Sequence, residues 1–452
     1  MQPTVQRASA VDAALHAQAA SSTYKWYVVA VLTICYTLSF VDRTILSLLV
    51  APIKRDLGIS DQAMGLLSGL AFALFYTLIG LPIGRWADTY NRRNLIAAGL
   101  SVWSFFTAVC AAATSYFSLF LARLGVGVGE ATLSPAAYSM LADLFPKHQL
   151  NTAISLFYMG AFLGAALANF VGGATLQAVA STPTLTVPIL GAIASWRVTF
   201  LIVGLPGLAV AFLLFTIREP IRRNIRSTGS LSNAMRLGDV LAEMRLRWKS
   251  VLGISLGMIC HGITTYGFLA WAPSYFQRVH GWSPGQTGRA VGTVLLVGCV
   301  GMYVGGVLSD RWMKRGIVSA PLRVAIPAAI AGLATLPYAF LQSDPNVTLV
   351  LTAIGLFFWA WPMGTTFAAV QFIFPNQARA QVSALVLFML NMGGNTLGPW
   401  LPGFLNDVVF HDGKALGTSL AIMITGAAVA MFATFWLTLK PYEKDYAGMH
   451  KA

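Results

Sequence analysis

The sequence predicts an all-α polytopic membrane protein with twelve transmembrane helices in two pseudo-symmetric six-helix bundles, and three observations carry that prediction. Of 452 residues, 56% are hydrophobic and only 10% charged, where a soluble domain carries roughly 25% charged residues. The apolar residues gather in runs long enough to cross a hydrocarbon core of about 30 Å, which takes about 20 helical residues. A short charged motif also occurs twice, at corresponding places in the two halves of the chain. Lipid offers no partners to backbone amides and carbonyls, so spans of this length form helices rather than open sheet.

The first 25 residues are rich in Ala and Ser and lack a short apolar stretch followed by a cleavage site, so they read as a cytoplasmic tail ahead of an uncleaved first span. Six spans follow within 26–218, at about 26–53, 62–86, 94–113, 115–143, 151–179 and 196–218. Residues 219–249 form a polar linker holding Arg222, Arg223, Arg226, Arg236, Arg245, Arg247 and Lys249. Six more spans fill 250–439, at about 250–279, 286–313, 320–341, 345–372, 379–410 and 416–439, before a second tail at 440–452. Of the 30 Lys and Arg, 22 fall on one side of this arrangement, six on the other and two within spans. That bias puts both termini and the linker in the cytoplasm of a plasma (inner) membrane protein. The net charge of +14 is thus a topology signal, and no nucleic-acid partner is expected. Cys35, Cys110, Cys260 and Cys299 all sit in apolar segments, as buried thiols do.

The duplicated motif follows the second and eighth spans. Gly84-Arg-Trp-Ala-Asp88 leads into Asn91-Arg92-Arg93, and Gly306-Val-Leu-Ser-Asp310 leads into Arg311, Lys314 and Arg315, 222 positions later. Pro52 and Pro273 are 221 positions apart. Parallel repeats of this kind surround a central cavity. The Gly84–Arg93 stretch, its echo, and Arg123-Leu-Gly-Val-Gly127-Val-Gly129 in the fourth span resemble the signatures of the major facilitator superfamily. Phe40-Val-Asp42-Arg43, Asp88-Thr-Tyr-Asn91-Arg92-Arg93, Val128-Gly129-Glu130-Ala131 and Asp143-Leu-Phe are similar to the spinster-like lipid transporters. The resemblance implies a monomeric alternating-access transporter, with lysolipid or sphingoid substrates and proton coupling in some members. It also implies that the first and fourth helices line the cavity together.

Four charges lie deep in spans: Asp42 and Arg43 in the first, Arg123 and Glu130 in the fourth. A charge at membrane depth costs about 2.5–3.5 kcal/mol on insertion scales, so such residues mark substrate or ion pathways. Arg123 and Glu130 are seven apart and share a face, about 10 Å apart along the axis. Asp42 and Arg43 project about 100° apart, so at most one faces a given partner well. Asp42 is therefore expected near Arg123 or Glu130, with Arg43 turned toward another helix or the cavity edge. Desolvation raises a carboxyl pKa and a nearby Arg lowers it, so movement that separates the pair binds or releases a proton. Glu130 or Asp42 is the candidate proton carrier, with Arg123 as switch partner or anion anchor. One proton moving down 100 mV and one pH unit sustains roughly 500-fold accumulation of a neutral substrate. The competing reading is a static network joining two helices, although apolar packing would join them at lower cost.

Asp88, Arg92 and Arg93, with Asp310, Arg311 and Arg315, are candidate gating charges that lock the halves at the cytoplasmic edge, helped by helix-end dipoles. Plain positive-inside anchoring accounts for the arginines but not the aspartates. Gly125, Gly127 and Gly129 have the spacing of a dinucleotide-binding turn, but no strand precedes them. Like Gly160-x-x-x-Gly164, they read as close helix approach. His261 stands alone in its span, and its repeat counterpart is Ser39. His261, Asn391, Asn395 and Trp359, with Arg43, Arg123 and Glu130, are the substrate-contact candidates, and Gln371, Tyr158 and Trp361 are further mid-span ones. Each serves interhelical packing equally well. No paired histidines or Ser/His/Asp set points to an enzyme, and no cofactor or metal is expected. The substrate is an amphipathic lipid-like molecule or a small organic anion.

Overall fold

The computed structural model describes residues 22–145, 147–179, 182, 184–187, 191–220 and 237–451. Most of the N-terminal tail and residues 221–236 of the linker, with Arg222, Arg223, Arg226 and Arg236, lie outside the described residues. Ten stretches among them are long and apolar enough to span a membrane. Two interrupted helices complete twelve: Tyr116–Glu130 with Leu133–Leu144, and Asn376–Leu390 continuing through a widened turn at Asn391–Asn395 into Thr396–Phe404.

The ends of the spans follow local chemistry. Ser115 and Ser283 form reciprocal capping boxes with Ser118 and Gln286 at the starts of the fourth and eighth spans. Ser60, Asn91 and Asp344 cap the second, third and tenth. Pro284 and Pro345 occupy first helical positions, where a missing N–H costs nothing. The first span runs Ser22–Leu48, breaks at Leu49 and resumes as Val50–Leu57. Within the linker, Leu237–Leu246 is helical. The twelfth helix runs Leu416–Lys451, so residues 440–451 extend the helix instead of forming a separate tail. Between the fifth and sixth spans, Thr184–Val187 and Gly191–Ala194 pair as a small antiparallel hairpin that the sequence reading did not foresee.

Packing repeats in the two halves. The first span lies along the fifth as the seventh lies along the eleventh, and the third packs on the sixth as the ninth packs on the twelfth. Among the described residues the halves meet where the second span packs on the eleventh, the fifth on the eighth and, less extensively, the first on the seventh.

Small residues set these approaches, because helix association in lipid depends on close packing. A Cβ on Gly160 would come within 2.9 Å of the Thr33 carbonyl, and one on Gly164 within 2.7 Å of the Phe40 Cβ. Gly129 sits as tightly on Gly99 and Trp103. Overpacking such a contact costs typically 1–3 kcal/mol. Gly164→Leu is expected to lower the unfolding temperature in detergent by several degrees, while Gly426→Leu, where a side chain meets open space, leaves it unchanged.

Candidate functional site

The first span carries Ser39, Phe40, Asp42 and Arg43 within little more than one turn, and its Gly-mediated seat on the fifth fixes its rotation. That rotation turns Arg43 to the fourth span. Its Nε donates to Glu130 Oε2 at 2.5 Å, and Ser39 Oγ donates to the same oxygen at 2.5 Å. The guanidinium also lies 4.8, 4.2 and 4.9 Å from the ring centres of Phe40, Phe72 and Tyr76. Each such ring contributes on the order of 0.5–2 kcal/mol to holding a desolvated cation. Glu130 Oε1 has no hydrogen-bond partner among the described residues.

Arg123 does something else. Fully buried, it donates from Nη1 to the backbone carbonyl of Asp42 at 2.9 Å, while its Nε is unpaired among the described residues. It makes no ion pair with either acid among those residues. The Asp42 carboxyl is buried beside Thr107 within electrostatic reach of Glu130 and Arg123, with Oδ1 unpartnered among the described residues. In this conformation the charge partner of Glu130 is therefore Arg43, which the sequence reading turned toward another helix or the cavity edge, and not Arg123, its candidate switch partner or anion anchor.

The pseudo-symmetric half holds an uncharged version of the same contact. His261 Nε2 donates to the Trp359 carbonyl of the tenth span at 2.8 Å and stacks on its ring, with centres 5.4 Å apart. The Trp359 indole donates in turn to Thr265 Oγ1 at 3.2 Å. Ser39 and His261, repeat counterparts, thus each reach to the fourth helix of their own half. Asn391 donates to the Leu387 carbonyl one turn earlier at 3.0 Å.

Asn395 lines a narrow cavity between the halves together with Arg43, Arg123, Phe72 and Tyr266. Its volume of about 40 Å³ admits a water or two. Tyr158 belongs to an aromatic cluster with Tyr36 and Tyr138, and the Trp361 indole nitrogen is buried without a partner among the described residues. The side chain of Gln371 lies outside the described set.

Beyond this cavity, away from the termini, the halves are bolted together. Asp61 at the start of the second span takes bonds from Arg278 Nη1 at 2.6 Å and Nη2 at 2.9 Å. Asn406 donates to it at 3.1 Å, and Lys54 forms an ion pair with it. The Gln62 amide donates to Asp407 at 2.5 Å. Sequence reasoning missed this network. Its members look like ordinary helix-end charges, and only the meeting of the second, seventh and eleventh spans assembles them.

On the side of the termini, Arg92 and Arg93 bond within their own half among the described residues. Arg92 pairs with Asp143 at 2.5 Å and Glu219 at 2.7 Å, and the Arg93 amide donates to Glu219 at 3.0 Å. Asp310, Arg311 and Arg315 are exposed. The side chain of Asp88 lies outside the described set. Every hydrogen bond and ion pair between the halves whose two partners are described lies on the far side.

Two repeated six-helix halves, sealed at one face and carrying buried charge where they meet, define a secondary active transporter. The chain belongs to the Major Facilitator Superfamily, whose profile its residues 32–399 match. It is 27% identical over 442 residues to an MFS-type efflux pump of Mycolicibacterium smegmatis, covering 95% of this chain and 96% of the pump. It is 25% identical to a hexuronate transporter of Bacillus subtilis, covering 88% of this chain and 90% of that one. Among solved structures it is similar to a bacterial homologue of the human lysosomal transporter spinster in an inward-facing, unoccupied conformation. That likeness has a TM-score of 0.75 and 27% identity, and covers 94% of this chain and 99% of the other.

Proposed function

We propose that this transporter is a proton-coupled symporter of amphipathic, lipid-like anions, lysolipids or sphingoid derivatives, in the plasma (inner) membrane. The observation that carries the reading is the Arg43 site. One cation is held by a single buried carboxylate and by three aromatic rings. Protonation of Glu130 removes the charge that holds Arg43 and frees the guanidinium for an anionic head group, with Phe40, Phe72 and Tyr76 as its apolar wall. Loss of the proton restores the pair and expels the anion. Asp42 shares the proton through its proximity to Glu130, and Arg123 anchors the first span against the fourth. The likeness to a spinster homologue agrees with the spinster-like motifs of the sequence, and it is that resemblance which implies a lipid substrate.

The basic bias assigns the side of the termini to the cytoplasm, which makes the arrangement inward-facing, with Asp61 and Arg278 closing the outer face. Asp88, Arg92, Arg93, Asp310, Arg311 and Arg315 then gate the cytoplasmic face in the opposite state. His261, Trp359, Asn391 and Asn395 complete the substrate contacts from the second half of a chain that works as a monomer.

A second reading is a small organic anion, favoured by the likeness to a hexuronate transporter and by two arginines on one cavity. An internal pH dye in proteoliposomes separates them. Acidification on adding lysophospholipid but not glucuronate is the expected result. The reverse selects the small anion, and no proton signal with either, in protein that binds one of them, removes proton coupling.

A further inference from the structure

On its lipid-facing surface the far-side end of the eighth span forms a groove with the tenth, unrelated to the central cavity. It has a volume of about 600 Å³ and is lined by Trp282, Gln286, Arg289, Thr293, Val294, Val297 and, from the tenth span, Leu349 and Val350. Gln286, Arg289, Thr293 and Val297 recur at helical spacing, so the groove runs along one face for roughly 16 Å.

Its polarity is graded. Trp282 stands at the mouth, held by stacking on Phe276 at 4.9 Å, where an indole suits the membrane interface. Arg289 follows about 7 Å into the helix, and past Thr293 the lining is aliphatic. Arg289 is exposed, and its guanidinium has no hydrogen-bond or ion-pair partner among the described residues. The Thr293 hydroxyl already donates to the Arg289 carbonyl. Asp344, at the start of the tenth span, accepts from the Asn346 amide and faces His280.

A groove of this size at the hydrocarbon boundary of an integral membrane protein is filled by a lipid chain. The unpaired cation about one turn inside the mouth then selects the head group. We propose that the groove binds one anionic phospholipid of the leaflet on that side. Its phosphate lies against Arg289 and Gln286, and one acyl chain runs along Val294, Val297 and Val350. The opposite face of the same helix presents Gly288 and Gly292 to the fifth span at a seam between the halves, so the lipid buttresses a helix that helps to close the far side.

The full chain in detergent, stripped of lipid and then offered phosphatidylglycerol or phosphatidylcholine of identical chains, tests this by native mass spectrometry. Wild type is expected to retain phosphatidylglycerol at least about fivefold better, the worth of one interfacial arginine. Arg289→Gln removes that preference while still retaining lipid, and Val350→Trp, which fills the groove, lowers retention of both lipids. Glycerol phosphate without chains does not compete. An unchanged preference in Arg289→Gln, or full retention of both lipids in Val350→Trp, overturns the proposal.

Discussion

Glu130→Gln is expected to abolish pH-driven accumulation while substrate binding stays measurable. The residue is buried, and one of its oxygens takes both the Arg43 and the Ser39 hydrogen bonds. An amide reproduces the shape and one acceptor, so the fold has little reason to change. It carries no charge and takes up no proton near neutrality, so nothing in the pair alternates. A monoanion moving with one proton carries no net charge, so accumulation then falls from the roughly tenfold that one pH unit sustains to none. Asp42→Asn is expected to do the same if both acids share the proton. Arg43→Lys keeps the charge but not the planar fork and loses part of the rate. Concentrative, pH-driven uptake surviving in both acid variants would leave Arg43 and Glu130 as a static clasp between the first and fourth spans. Uptake of the substrate that acidifies wild-type liposomes, measured beside its equilibrium binding, separates the two cases.

Different physics made different parts of this molecule legible in the sequence. The span count is written in apolar length, and the repeat in Gly84–Asp88 and Gly306–Asp310, because both are local patterns. Asp42, Arg43, Arg123 and Glu130 stand out because a charge in lipid costs too much to be incidental. Their pairing was not legible. Asp42 and Arg43 are neighbours about 100° apart, and which of them meets Glu130 depends on the rotation of the whole first span. That rotation is set by how Thr33, Thr37 and Phe40 sit on Gly160 and Gly164, a tertiary fit that spacing alone does not define. Phe72 and Tyr76 escaped notice for a related reason, since an aromatic residue in an apolar helix carries no mark of the cation beneath which it packs. The strands Thr184–Val187 and Gly191–Ala194 are too short and apolar to distinguish from the end of a span. The glycines, by contrast, were read correctly as contact surfaces, since a missing side chain in a lipid-embedded helix has few other uses.

The second large effect is expected at the far-side seal. Asp61 is almost wholly buried, and it holds Arg278 and Lys54 while accepting from Asn406. Asp61→Asn leaves two cations facing one another across the joint between the halves. Removing one partner of a fully buried pair costs about 3–5 kcal/mol. Arg278 and Lys54 are 17% and 26% exposed, so screening reduces the effect to roughly 1–2 kcal/mol, a shift of about 5- to 30-fold in the open-to-closed ratio. Ser68 lines the narrow cavity behind the seal. With the four native cysteines replaced, Ser68→Cys is expected to react with a membrane-impermeant maleimide from the far side about tenfold faster when Asp61→Asn is present. Arg278→Gln raises the rate less, because Lys54 and Asn406 still hold the carboxylate. The double variant exceeds Asp61→Asn by little, because residues in one network are not additive. Unchanged labelling in both single variants would move the seal from this charge cluster to the glycine seams alone, where Gly65 and Gly403 meet backbone across the joint.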